Sequence, residues 1–116
     1  MTAASVQTTD IDDDLLEETA YFFKVLGDPT RLRIVYALFE GELCVNDISS
    51  HIDLSVSAVS HQLAMLKRAK LVASRRDGKM IYYRLDDDHI RTILGVAHEH
   101  SAEGEIEKPP SLLGEP

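Results

Sequence analysis

The chain has 116 residues, a hydrophobic fraction of 44%, four Pro and six Gly, which is typical of one globular domain and excludes a disordered or collagen-like chain. Its single cysteine, Cys44, excludes an internal disulfide framework and favours a reducing compartment. The N-terminus lacks the features of a signal peptide, and no stretch approaches the roughly 18 to 20 apolar residues of a membrane span. We therefore expect a cytoplasmic protein with no membrane partner.

The formal net charge of -8 argues at first against a nucleic-acid partner, but the charge is unevenly distributed. Residues 1–18 hold six acidic residues and no basic one, and residues 86–116 hold eight acidic and two basic. Between them, residues 19–85 hold ten basic and six acidic. Seven of the basic residues fall within 56–85, where Asp77 is the one acidic residue. A basic segment therefore lies between two acidic ones.

Apolar residues at three- and four-residue steps predict two helices in the first third of the chain. The first covers about 12–26 and is ended by Gly27. Asp28 and Pro29 are typical of an N-cap and a first helical position, so a second helix begins there and ends near Gly41.

A short third helix is indicated by the stripe of Val45, Ile48 and Ile52. Because residues three apart are neighbours on a helix, this element would bring Cys44 and Asp47 together on another face.

Ser55 is a plausible N-cap for a fourth helix that runs to about Lys70. Val59, Leu63 and Leu66 define its buried face. A tight link separates this helix from the third.

A hairpin follows, with Asp77-Gly78 as a type I′ turn signal between two short strands, and a final helix covers about 88–102. We predict that the folded domain comprises 11–104, flanked by a flexible acidic arm (1–10) and a flexible tail (105–116).

The predicted fold is mainly α with a small β-hairpin. Helices followed by a hairpin match the winged helix-turn-helix plan, in which the last helix before the hairpin enters a major groove of DNA. Its polar face offers short or planar groups for base edges and phosphates, namely Ser57, Ala58, Ser60, His61 and Gln62. Basic residues on the helix and hairpin would contact phosphates, namely Lys67, Arg68, Arg75, Arg76 and Lys79. The alternative is a solvated helix face and a hairpin edge kept from pairing by charge.

Three segments carry a family resemblance: LGDPTRLRIVYALFEGELCVNDIS, LSVSAVSHQLAMLKRAKLV and RRDGKMIYYRL. Over about residues 20–103, the chain resembles the ArsR/SmtB family of bacterial metal-sensing repressors. The resemblance implies about five helices plus a two-stranded wing, and a homodimer formed through the first and last helices. It also implies that the metal-free dimer binds double-stranded operator DNA and releases it on metal binding, so that metal efflux or sequestration genes are derepressed.

The last helix carries a candidate metal site made of Asp87, His89, His100 and Glu103. Two imidazoles and two carboxylates suit Zn²⁺ or Co²⁺ and can fill a tetrahedron. His100 lies eleven positions after His89, a step that returns to nearly the same helix face but rises roughly 16 Å. Two antiparallel copies across a twofold axis would therefore form two symmetric sites. The same spacing resembles the zinc-sensing branch of the family.

Several alternatives remain open. A nickel or cobalt sensor of the same architecture would recruit further ligands such as His98 or the termini. The last helix could also be a solvated helix whose first carboxylates favour the helix dipole, with His89 and His100 merely interfacial. Family members that sense soft ions use two cysteines where this chain has Glu42-Leu43-Cys44-Val45-Asn46-Asp47, so Cys44 and Asp47 are at most a secondary site. A metal-stabilised protein-interaction module is the alternative from another class. A metallohydrolase is disfavoured because four protein ligands leave no position for a catalytic water, so we expect no enzyme.

Overall fold

The computed structural model describes residues 11–103, which form five helices and a three-stranded antiparallel sheet. The predicted arm 1–10 and tail 105–116 lie outside the described residues. The elements in chain order are α1 (Asp13–Leu26), α2 (Pro29–Ala37), β1 (Leu43–Cys44), α3 (Val45–Ile52), α4 (Val56–Arg68), β2 (Val72–Asp77), β3 (Met80–Leu85) and α5 (Asp88–Ala102). Along this part of the chain, no helix has the length and apolar content that crossing a membrane requires.

The described part of the chain divides into two compact units, residues 11–86 and 87–103. The first contains α1 to α4 and the sheet, and the second contains α5. All five helices fall where the hydrophobic pattern predicts them, and α5 has the predicted bounds.

Two predicted helix N-caps are confirmed. The Asp28 carboxylate accepts a hydrogen bond from the Arg31 backbone N–H at 3.1 Å, with Pro29 in the first turn of α2. The Ser55 hydroxyl accepts one from the Ala58 N–H, also at 3.1 Å. Each bond satisfies an N–H group that has no partner within the helix.

The second helix ends earlier than predicted, at Ala37 rather than near Gly41. The N–H of Leu38 is shared between the carbonyls of Ile34 and Val35, which tightens the last turn. Leu38 still points into the core, being 1% exposed, so its place in the hydrophobic stripe gave no sign that the helix had ended.

The wing has one strand more than the two predicted. β1 pairs antiparallel with β3, aligning Cys44 with Tyr82, and the strand order is β1-β3-β2. The hairpin turn also differs from the prediction. Asp77 pairs with Met80, so the central residues of the turn are Gly78 and Lys79. Gly78 has a φ of 63° and Lys79 is not among the residues with positive φ, which excludes type I′ and matches the glycine-first preference of type II′.

The core of the first unit is built around α4. Val59, Leu63 and Leu66 are fully buried, as predicted, and Leu71 and Val72 continue this core after the helix. Burying each such side chain contributes about 1.5–3 kcal/mol. α4 is therefore fixed to the core by one face, and its opposite face remains available.

Candidate nucleic-acid interface and metal site

The link between α3 and α4 sets the position of the predicted reading helix. Asp53 adopts the left-handed conformation (φ 55°, ψ 50°), which aspartate tolerates better than most residues. The Ser49 hydroxyl donates to the Leu54 carbonyl oxygen and closes the turn. α3 and α4 thus form the predicted helix-turn-helix pair, with α4 as the reading helix.

The exposed face of α4 contains most of its predicted DNA contacts. Ser57, Ser60 and His61 are exposed, whereas Ala58 and Gln62 are half-buried. Hydroxyl and imidazole groups on this face are free to meet base edges or phosphates.

Gln62, one of the residues predicted to meet base edges, also makes a hydrogen bond within the protein. Its side-chain oxygen accepts a hydrogen bond from Arg31 Nε at 2.9 Å. The same guanidinium donates to the Val25 carbonyl oxygen at 3.1 Å and contacts the Met65 sulfur at 3.7 Å. The Arg31 bond takes up one of the two lone pairs of the Gln62 oxygen and helps to hold α4 in place.

Two of the basic side chains predicted to contact phosphates interact with neighbouring residues of the protein. Lys67 Nζ donates to the Ser74 hydroxyl at 2.7 Å. Arg75 forms an ion pair with Glu42, with nitrogen–oxygen distances of 2.8 to 2.9 Å, and its guanidinium lies 4.8 Å from the centre of the Tyr82 ring. Hydrogen bonds from Arg75 lower the pKa of the Glu42 carboxyl, and the same bonds raise the pKa of Arg75. Arg75 therefore braces the base of the wing.

The remaining predicted phosphate contacts are exposed. Arg76 and Lys79, at the end of the wing, form no ion pair or side-chain hydrogen bond within residues 11–103. Arg68 donates from Nε to the carbonyl of Ala64 at 3.5 Å, a long contact within its own helix. Like Lys67, these three cations can meet a phosphate backbone without displacing an ion pair.

The candidate metal ligands all lie in the second unit. Asp87 is the N-cap of α5, and its Oδ1 accepts a hydrogen bond from the His89 N–H at 2.9 Å. Its other oxygen, Oδ2, lies 3.3 Å from His89 Nδ1, and both side chains are well exposed. His100 lies in the last turn of α5, and Glu103 is its C-cap; both are exposed.

Spacing separates these four residues into two pairs. A rise of 1.5 Å per residue puts the backbones of His89 and His100 roughly 16 Å apart. No group of three or more metal-ligating side chains lies together within residues 11–103 of one chain. The two candidate pairs of ligands thus lie at opposite ends of α5.

The two residues of the possible secondary site differ in exposure. Cys44 lies in β1 and is the N-cap of α3, and Asp47 lies in the first turn of that helix. The Cys44 side chain is 6% exposed, whereas Asp47 is exposed.

Three residues important to these surfaces were not among the predicted site residues. Arg31 and Glu42 act through partners 31 and 33 positions away, for which the sequence carries no local signal. Val56, the first residue of α4, is 46% exposed. Its position directly after the predicted N-cap could have identified it.

The sequence and the fold of this chain are similar to those of known proteins. The sequence profile described as "Bacterial regulatory protein, arsR family" matches residues 28–74. A cadmium resistance transcriptional regulatory protein homolog from Staphylococcus aureus is 41% identical over 87 residues, covering 74% of this chain and 72% of that protein. A transcriptional repressor SmtB homolog from Synechocystis is 41% identical over 92 residues, covering 79% of this chain and 70% of that protein.

Among solved structures, the homodimeric winged helix-turn-helix DNA-binding domain of a possible ArsR-family regulator from Mycobacterium bovis is similar. Its TM-score is 0.75, with 27% identity, and the match covers 89% of this chain and 94% of that one. The fold and the reading helix thus define a winged helix-turn-helix transcriptional regulator. The chain belongs to the arsR family of bacterial regulatory proteins. This confirms the predicted fold class and the prediction of a transcriptional repressor rather than an enzyme.

Proposed function

We propose that this repressor is a homodimer that binds operator DNA without metal and releases it when Zn²⁺ binds at two symmetric sites. Each site would combine Asp87 and His89 of one copy with His100 and Glu103 of the other. Relatives named for cadmium resistance and as transcriptional repressors support a metal effector. The donor set of this chain supports zinc, because two imidazoles and two carboxylates match its usual tetrahedral coordination.

The assignment of Asp87 and His89 to one half-site rests on the distance between their side chains. Asp87 Oδ2 and His89 Nδ1 are 3.3 Å apart. A tetrahedral ion with bonds of about 2.0–2.1 Å requires its ligand atoms to be about 3.3–3.4 Å from one another. The cap bond from the other Asp87 oxygen fixes the carboxylate, so this pair is already spaced for a shared ion.

The need for a second copy follows from what one chain lacks. His100 and Glu103 are too far along α5 to complete the site from within the same chain. α1 also carries large apolar side chains at the surface, typical of a helix that meets a partner: Leu15, Leu16, Tyr21 and Phe23 are 44–55% exposed. A twofold dimer would cover such a face and join the half-sites twice.

The response to metal requires coupling between two surfaces of the dimer. A bound ion would supply a bridge between the two copies of α5. Asp87 and His89 would then fix the partner's helix end, and this selects one spacing of the two α4 helices. If that spacing fits two consecutive major grooves poorly, metal and DNA weaken each other's binding to the same extent.

The proposal is tested by titrating zinc into the purified dimer bound to operator DNA, followed by fluorescence anisotropy. Zinc should weaken DNA binding at least several-fold. His89→Ala and His100→Ala should abolish that response and leave metal-free DNA binding intact. Cys44→Ser should respond as the unmodified protein does, because the thiol is buried outside both half-sites.

His98→Ala is the matched control, since it removes an exposed imidazole from the same helix. A full zinc response in His98→Ala supports a four-ligand site, and its loss would point to the larger ligand set of a nickel or cobalt sensor. An unchanged zinc response in both His89→Ala and His100→Ala would refute the site.

A further inference from the structure

A groove between the reading helix and the wing is unexpectedly apolar. It has a volume of about 220 Å³, and its lining includes Val56 and Ser60 of α4, Lys79 of the turn, and Met80 and Ile81 of β3. Three of its apolar side chains, those of Val56, Met80 and Ile81, are 46%, 39% and 36% exposed. They form an apolar surface on the face of the molecule that also carries the predicted DNA contacts.

The charges around the groove favour a nucleic acid as its occupant. Lys79 is in the lining itself, and Arg76 is exposed on the adjoining strand. Ser60, one of the exposed residues of the reading face, is also in the lining. The groove is therefore continuous with a basic surface suited to a phosphate backbone, and its apolar side chains must meet an apolar part of the same polymer.

Base edges in the major groove present one apolar group, the 5-methyl of thymine. Val56 is the first residue of α4, and the N-terminal residues of a reading helix are those that contact base edges. We propose that this groove receives thymine 5-methyl groups and that Val56 is the residue selecting thymine over cytosine. The inference rests on the proposed DNA binding and specifies part of its sequence preference.

Val56 would select thymine over cytosine because its side chain cannot accept a hydrogen bond. Cytosine presents an amino group that must donate a hydrogen bond, and a valine side chain leaves that donor without an acceptor. Gln62, the longest amide on α4, has its oxygen engaged by Arg31. On the first turn of α4, the polar side chain next to Val56 is that of Ser57, whose short hydroxyl accepts or donates to any base.

The test uses the full-length, metal-free protein and duplexes that it selects from a random pool. In the selected duplex, each thymine is replaced in turn by uracil, which removes only the 5-methyl group. The dissociation constant is measured by anisotropy for the unmodified protein and for Val56→Ala. Val56 is partly exposed, so this variant should keep its thermal midpoint.

At one or more thymines in each half-site, uracil should weaken binding of the unmodified protein by about three- to fourfold, the effect of one buried methyl group. Val56→Ala should bind the thymine duplex equally weakly and lose nothing further with uracil. Ser57→Ala is the control from the same helix turn. It should bind more weakly overall and retain the full uracil effect.

Selected duplexes that bind equally well with uracil at every position would overturn the inference and leave the proposed function standing. A uracil effect of the same size in Val56→Ala would assign the methyl contact to another residue and also overturn it. Loss of the dimer in Val56→Ala, seen by sedimentation, would identify the groove as a contact between copies instead. Failure to select any duplex would refute the proposed function itself.

Discussion

The intersubunit site predicts that two defective variants restore a metal site when they share a dimer. His89→Ala and His100→Ala each leave both sites of their own homodimer with three ligands. In the mixed dimer, one site lacks both imidazoles, and the other has all four ligands. One complete site is thus regained, because the half-sites at the two ends of α5 come from different copies.

The expected recovery follows from this symmetry. The unmodified dimer should bind two zinc ions tightly, and a purified mixed dimer should bind one. In an unfractionated equimolar mixture, about half of the dimers are mixed, so tight binding should reach about one quarter of the unmodified level. Each variant alone should bind none with the same affinity.

The assay coexpresses the two variants with different affinity tags, isolates the mixed dimer and titrates zinc against a chelator of known affinity. The control pairs His89→Ala with Asp87→Ala, which damage the same half-site. Their mixed dimer has no complete site, so it should recover nothing. Equal behaviour of the two mixed dimers would refute the division of ligands between subunits.

Two further predictions concern carboxylates. Asp87→Asn should abolish the zinc response while preserving the thermal midpoint, because asparagine caps a helix as well as aspartate; Asp87→Ala should also cost about 1 kcal/mol of stability by calorimetry. Asp88→Asn is the control, since Asp88 is 95% exposed. Glu42→Gln, compared with Glu40→Gln, should steepen the salt dependence of DNA binding by about one unit of slope, because it frees a guanidinium for phosphate. Because the pKa of Glu42 is lowered from 4.5, its ion pair with Arg75 contributes its full stabilisation above pH 4.5. That stabilisation is lost as the pH falls through the lowered pKa. Loss of the stabilisation on raising the pH would contradict this.

The parts of the fold that depend on neighbouring residues were predictable from the sequence. The N-caps at Asp28 and Ser55 and the buried stripe of α4 each need only a few adjacent positions. β1 was not predictable, because two residues carry no periodicity and the strand exists only through pairing with a segment about forty positions later. The turn type failed for the same reason, since strand register decides which two residues are central.

The types of residue in the candidate interface were predictable from the sequence. Which of their side chains have partners within the folded protein was not. Sequence alone treats Arg75 and Arg76 as equivalent, and folding brings Glu42 against the first and leaves the second exposed. Gln62 was expected among the base-reading residues, and its hydrogen bond with a distant arginine could not be foreseen. Long-range partners of charged and amide groups follow from tertiary packing, which a local pattern does not encode.

Arg31 ties three helices at one point. Its guanidinium reaches the Val25 carbonyl near the end of α1 and Gln62 and Met65 on α4, and its own backbone belongs to α2. The reading helix is therefore held against the first two helices by the contacts of one side chain. Replacing Arg31 would therefore remove, in a single substitution, contacts that connect α2 with both α1 and α4.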